Sequence, residues 1–334
     1  MNHDLSQIKK EIKSFLLINF SIIAIFALLL FISRGNLKGS PTPSNFAVVF
    51  MSIPSLAAII TFKKVSTLSF NKEVAFFFKI FTASAFMQIL IVSIGTFLSP
   101  NITGMILSLV QGITSICLVF DVLIYSDSFK DLNLKFTKNI KTVFFLILIF
   151  VILKFLPSIL AYIISPEPLP ETTSIGRLFG GIISNFLLGF ILFFGEEFGW
   201  RYFLQPRMQA VYGKRIGVII LGAIWGIWHA PLCFTLYSPE TPIHCVFGHI
   251  SSCIAFGIFF AYVYMKTENL WAPILLHLVN NCIALLFLSS TDLINNAPLY
   301  TTEDLIIKII SDFIIFGPFL LAGVFKNDIS VSSE

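Results

Sequence analysis

Two carboxylates stand side by side in an apolar stretch, within Gly195-Glu196-Glu197-Phe198-Gly199-Trp200-Arg201. Ionisable groups inside apolar helices are costly and are usually paired or functional. Glu197 and Arg201 are four residues apart, so a helix puts them on one face, where they can pair. Glu196 then points about 100° away and meets a different environment. One acid held ionised and the other free to exchange a proton is a division that suits a general base. A purely structural reading is a charged cluster that ends a helix among headgroups. A second island is Trp225-Gly226-Ile227-Trp228-His229-Ala230-Pro231. His229 alone could be a buried histidine with one hydrogen bond. Pro231 removes a backbone donor and predicts a kink beside it. The third island is His277-Leu278-Val279-Asn280-Asn281. His277 and Asn281 share a helix face, and both can donate to one point. They could equally hold two helices together.

The elements that must position these residues follow from composition. The chain has 334 residues, of which 56% are hydrophobic, 12% charged and 15% aromatic, with 38 Phe. A soluble domain carries about 25% charged residues. Half that fraction cannot cover a soluble globule, and disorder needs the opposite composition. A bilayer crossing takes roughly 20 apolar residues in a helix. Ten stretches qualify: 15-33, 44-62, 74-98, 103-126, 142-165, 177-200, 216-237, 243-265, 270-289 and 304-325. The expected fold is an all-α, polytopic transmembrane bundle of about ten spans. Residues 1-140 hold spans with no assigned role, 141-290 hold the islands, and 291-334 hold a last span and a short tail.

Charge placement orients the bundle. With the N-terminus inside, the inner segments hold 16 of the 22 basic residues and the outer ones only Arg34, Lys38 and Arg177. By the positive-inside rule both termini are then cytoplasmic. Lys79, Lys154 and Lys308 fall inside spans, and only Lys308 has an acid one turn away, Asp312. The net charge of +4 therefore reflects topology. No basic patch with exposed aromatics suggests nucleic acid. The apolar run after Lys13 is longer than a signal core, and Ile32-Ser33-Arg34-Gly35 is not a small-x-small cleavage site, so it reads as an uncleaved first span.

Depth ties the islands together. At ~1.5 Å per residue, Glu197 lies roughly 14 Å, His277 roughly 12 Å and His229 roughly 20 Å from the inner ends of their helices. All three can meet in the inner half of the bilayer. The five cysteines, Cys117, Cys233, Cys245, Cys253 and Cys282, follow no CxxC or finger spacing and read as small packing residues. His244 and His249 are five apart, off a common face, and read as packing or outer-boundary residues.

In this order and on separate spans, Glu-Glu-x-x-x-Arg at 196-201, aromatic-x-x-x-His at 225-229 and His-x-x-x-Asn at 277-281 resemble the CPBP family of intramembrane proteases. That family includes the eukaryotic CAAX prenyl endopeptidase and bacterial Abi-type and bacteriocin-processing or immunity proteins. The resemblance covers roughly 145-290. It departs at Trp225, where the family usually has Phe. It implies hydrolysis of a peptide bond in a membrane-associated peptide or protein near the cytoplasmic leaflet. Glu196 would be the general base, with His229 helping to hold the water. His277 and Asn281 would stabilise the oxyanion, and Glu197 and Arg201 would orient the site. Family members are often labelled metalloproteases. Glu196, His229 and His277 could bind Zn²⁺ with water as fourth ligand, but the chain lacks HExxH and brings an arginine near, so the cofactor is a divalent metal or none. The expected location is a bacterial plasma membrane. Two other classes compete: a non-catalytic immunity or scaffold protein, and a transporter using Lys79, Asp121, Lys154 and Asp312.

Overall fold

A computed structural model of the protein describes residues 5–33, 40–65, 70–164, 175–286 and 301–326. Among the described residues all regular structure is helical. In chain order the helices are α1 (Leu5–Ile32), α2 (Thr42–Phe50), α3 (Ile53–Val65), α4 (Lys72–Gly95), α5 (Pro100–Ile124), α6 (Ile140–Ile164), α7 (Ile175–Leu188) and α8 (Phe190–Glu197). A π-helical segment, Phe198–Leu204, carries α8 into α9 (Gln205–Tyr212). Then come α10 (Lys214–Trp228), the short α11 (Ala230–Leu232), a π turn at Cys233–Tyr237, α12 (Pro242–Thr267), α13 (Trp271–Leu286) and α14 (Thr302–Phe316).

Among the described residues, seven spans, or eight with a bent pair, are long and apolar enough to cross a bilayer, against the ten expected from apolar length. The sixth expected span is two helices, Leu178–Leu188 and Phe190–Tyr212, bent by 73°. Gly189 sits at the bend. The ninth and tenth, α13 and α14, hold 16 and 15 residues, short of the roughly 20 that a perpendicular crossing takes. The outward faces of α1, α4 and α5 are apolar: Leu17, Leu90 and Ile113 are each more than 60% exposed. Such faces suit lipid rather than water. The orientation of the termini rests on the lysine and arginine distribution.

The sequence 1-140 supplies more than peripheral spans. Thr42–Val65 is the most buried span, with 78% of its apolar window inside, against 17% for Ile140–Leu160. Its α3 packs directly on α8 and the π segment. Glycines set the approach there. A Cβ on Gly195 would lie 2.4 Å from the Met51 carbonyl oxygen, and one on Gly199 2.5 Å from the Pro54 carbonyl carbon. The Ser55 hydroxyl donates to the Phe194 carbonyl at 2.9 Å. The same device joins α10 to α12, where Cβ atoms on Gly222 and Gly226 would meet the Cα atoms of Ile254 and Ile250 at 2.6 and 2.4 Å. Small residues four apart let helix backbones close on one another without a side chain between them.

Aromatic packing fixes the remaining face of the glutamate helix. Phe190, Phe194, Phe198 and Tyr202 stack in sequence at 4.8–5.8 Å, as fourfold spacing on a helix dictates. Phe77 and Phe81 of α4 meet Phe194 edge-on. The start of α13 is pinned by the 126–139 connection. Asn133 accepts from the Leu270 amide at 2.7 Å, Leu134 from the Trp271 indole at 2.8 Å, and buried Asn269 donates to the Lys138 carbonyl at 2.5 Å.

Candidate active site

Glu196, Glu197 and Arg201 lie off the row of Phe190, Phe194 and Phe198 on α8 and its π continuation. All three are buried, at 2%, 0% and 0% exposure. Glu197 bridges two helices. Its Oε2 accepts from Arg201 Nε at 3.0 Å, and its Oε1 lies 2.7 Å from His277 Nδ1 on α13. The fourfold pairing expected from the sequence is therefore present. The π segment's wider turn carries Arg201, and such segments recur at functional sites. Arg201's guanidinium lies over the rings of Trp225 (4.9 Å) and Phe260 (5.4 Å). A desolvated guanidinium over aromatic faces gains cation–π attraction of about 2 kcal/mol.

Glu196 faces elsewhere, as its neighbouring position requires. Its Oε2 accepts from the Trp225 indole Nε1 at 2.9 Å. The Trp225 ring lies 5.9 Å from the His277 ring and 6.0 Å from the His229 ring. The three islands thus meet around one indole. The sequence reading treats Trp225 as a packing aromatic that replaces Phe. In the fold it is also the hydrogen-bond donor to Glu196, which a Phe could not be.

His229 ends α10. Its Nδ1 lies 2.8 Å from the Trp225 carbonyl oxygen, one turn back. A carbonyl only accepts, so Nδ1 carries the proton and Nε2 presents a lone pair. His277 likewise has its Nδ1 engaged, by Glu197, and keeps Nε2 for other work. Asn281, one turn beyond His277 and partly exposed, accepts at Oδ1 from Asn280 Nδ2 at 3.2 Å. Among the described residues its hydrogen bond runs to Asn280 and not into the glutamate pair.

No metal set forms at the glutamates. Among the described residues, Glu196, His229 and His277 do not form a converging group of metal-type ligand atoms. Each imidazole has Nδ1 engaged and Nε2 left over, as metal-ligating histidines usually do, while the Arg201 guanidinium against the same indole opposes a cation there. The side chains that do converge are Cys233, Cys245 and His249, which the sequence reading set aside as packing residues. A signal for them was available: Cys245, His249 and Cys253 repeat every four residues along one helix face.

Residues 178–283 match the family model of Rce1-like type II CAAX prenyl endopeptidases. The Rce1-like segment spans roughly a third of the chain and contains all six candidate residues. It agrees with the resemblance carried by the three motifs and makes a membrane protease the class to which this part of the chain is similar. No curated protein and no solved structure matches the chain.

Proposed function

We propose that this protein is an intramembrane endopeptidase that hydrolyses a peptide bond of a membrane-associated protein or peptide, using a glutamate-activated water. The observation that carries the reading is the convergence of Glu196, His229, His277 and Arg201 on Trp225, from three helices far apart in sequence. Groups that only hold a bundle together need one partner each. Here the two carboxylates are kept in separate hydrogen-bonded settings around one point.

Glu196 accepts a proton from water as that water attacks the scissile carbonyl. His229, with its Nε2 lone pair forward, accepts the water's other hydrogen and fixes its orientation. The carbonyl oxygen gains charge, which the His277 Nε2–H and the Asn281 amide stabilise. In that role His277 carries protons on both nitrogens, and the site balances two carboxylates against a guanidinium and an imidazolium. Collapse of the tetrahedral intermediate breaks the C–N bond, and Glu196 returns its proton to the departing amine. Glu197 does not touch the substrate in this scheme. It clamps His277 from one side and neutralises Arg201 on the other. Losing one oxyanion donor costs ~2.7–4 kcal/mol of barrier. A substrate held near the cytoplasmic leaflet by its own membrane anchor suits a site built within the helices.

The test is a comparison of new peptide termini in membranes carrying equal amounts of wild type and Glu196→Gln. Termini that appear only with the wild type support the protease and name its substrate. Identical termini, with a protective phenotype retained by the variant, would favour the immunity or scaffold reading instead.

A further inference from the structure

A second cluster of reactive side chains lies one turn beyond His229. We propose that Cys233, Cys245 and His249 form a binding site for a thiophilic metal ion of the Zn²⁺ class. Their ligand atoms all lie within 4.8 Å of one another. His249 Nδ1 is 3.7 Å from Cys233 Sγ and 3.6 Å from Cys245 Sγ. A tetrahedral zinc with bonds of about 2.3 Å to sulfur and about 2.0–2.1 Å to nitrogen separates those two ligand types by about 3.6 Å. The ion therefore fits the spacing already present.

The fold aims each ligand by a separate device. On α12, Cys245 and His249 are four residues apart and share a face. Cys233 opens the π turn 233–237, whose wider winding follows Pro231 and faces the same surface. The Tyr237 ring stacks on His249 at 4.8 Å and 5°, which fixes the imidazole plane. Both sulfurs are buried, at 0% and 1% exposure. His249 Nδ1 also lies 3.2 Å from the Cys245 carbonyl oxygen. In the metal-free molecule that nitrogen, when protonated, donates a hydrogen bond to the carbonyl. Binding shifts this proton to Nε2 by tautomerisation and displaces those of the two thiols, so two protons leave as one divalent ion enters. A solvent molecule completes the tetrahedron.

The ion would staple the 233–237 turn to α12. The His249 ring is 5.4 Å from that of His229, so the staple sits directly behind the end of α10. This inference does not depend on the protease reading.

The experiment uses full-length protein purified in detergent without a polyhistidine tag, after equilibration with Zn²⁺ and removal of excess. Elemental analysis should find one zinc per chain in wild type and in Glu196→Gln. His249→Ala and the double change Cys233→Ser, Cys245→Ser should hold at least tenfold less. Co²⁺ replacement should give sulfur-to-cobalt charge transfer and the visible bands of a tetrahedral ion in wild type. Size-exclusion profiles establish that the variants are folded, and the wild-type cobalt spectrum stands even if they are not. Three results would each overturn the proposal: wild type that takes up neither metal, zinc that survives the cysteine changes, or zinc lost from Glu196→Gln. A Cys233–Cys245 disulfide, seen as two missing thiols in metal-free wild type, would overturn it too.

Discussion

Two ion pairs with the same fourfold spacing sit on apolar helices of this protein. Glu197 and Arg201 pair at 3.0 Å with both side chains fully buried. Lys308 and Asp312 pair at 3.2 Å with 34% and 13% of their side chains exposed. The first pair is enclosed by His277, Trp225 and Phe260 from three other helices. The second has Ser252 bonded to Asp312 at 2.7 Å and an open side. Nearby Lys154 lies over the Phe256 ring at 4.2 Å. Burying a charge pair costs several kcal/mol per ion before attraction offsets it. Here the cost is offset by the His277 contact and by two aromatic faces as well as by the pair itself. The peripheral pair has an ordinary account, a lysine inside an apolar helix with a carboxylate one turn away. The ion-path reading also weakens here, because Asp121 lies on α5, whose principal neighbours are α4, α7 and α8.

The sharpest way to break this contrast is to remove the chemistry without the packing. Glu196→Gln keeps volume and should lower turnover by ~10²–10⁴-fold, the usual worth of a general base, with unchanged membrane level. Cleavage of the identified substrate by purified protein measures it. Glu197→Ala leaves Arg201 buried without its counterion and should destabilise the fold by ~3–5 kcal/mol. Thermal inactivation in detergent would report a steep loss; wild-type behaviour would mean that water reaches the guanidinium. Trp225→Phe preserves the aromatic surface and deletes the indole donor. Hydrogen bonds to charged groups contribute ~1.5–3 kcal/mol to stability, so thermal stability should fall by that order, and kcat should fall as well because Glu196 loses its fixed orientation. An unaltered kcat would show that the indole only packs. The smallest effect belongs to the outer pair. Asp312→Asn keeps a polar group for Ser252 and leaves the more open Lys308 side chain unpaired, so it should destabilise less than Glu197→Ala and leave turnover intact. A loss as large as that of Glu197→Ala would erase the distinction between the two pairs.

Much of the site was legible because helices have a fixed period. Glu197 with Arg201, the divergence of Glu196, and the shared level of the three islands all follow from 3.6 residues per turn and 1.5 Å of rise. The indole bond to Glu196 was not legible, because it joins residues 29 positions apart. Neither was the role of residues 51–54 at the start of α3, whose contribution is backbone for Gly195 and Gly199 to approach. His277 and Asn281 share a helix face as expected, yet their partners diverge: Glu197 binds the first and Asn280 the second.

What the sequence by itself determined is the class of the molecule and the local geometry of each helix. Low charge and long apolar runs leave only a membrane bundle, and residue spacing decides what one helix can present on one face. The tertiary structure decided which faces meet. It bent the sixth span by 73° and brought Cys233 to Cys245 and His249. The reason is that periodicity acts within a segment, whereas the meeting of segments depends on glycine contacts, π turns and loop anchors at positions with no pattern of their own. Composition sees five scattered cysteines. Only the packing of α10 and its continuation against α12 makes two of them neighbours.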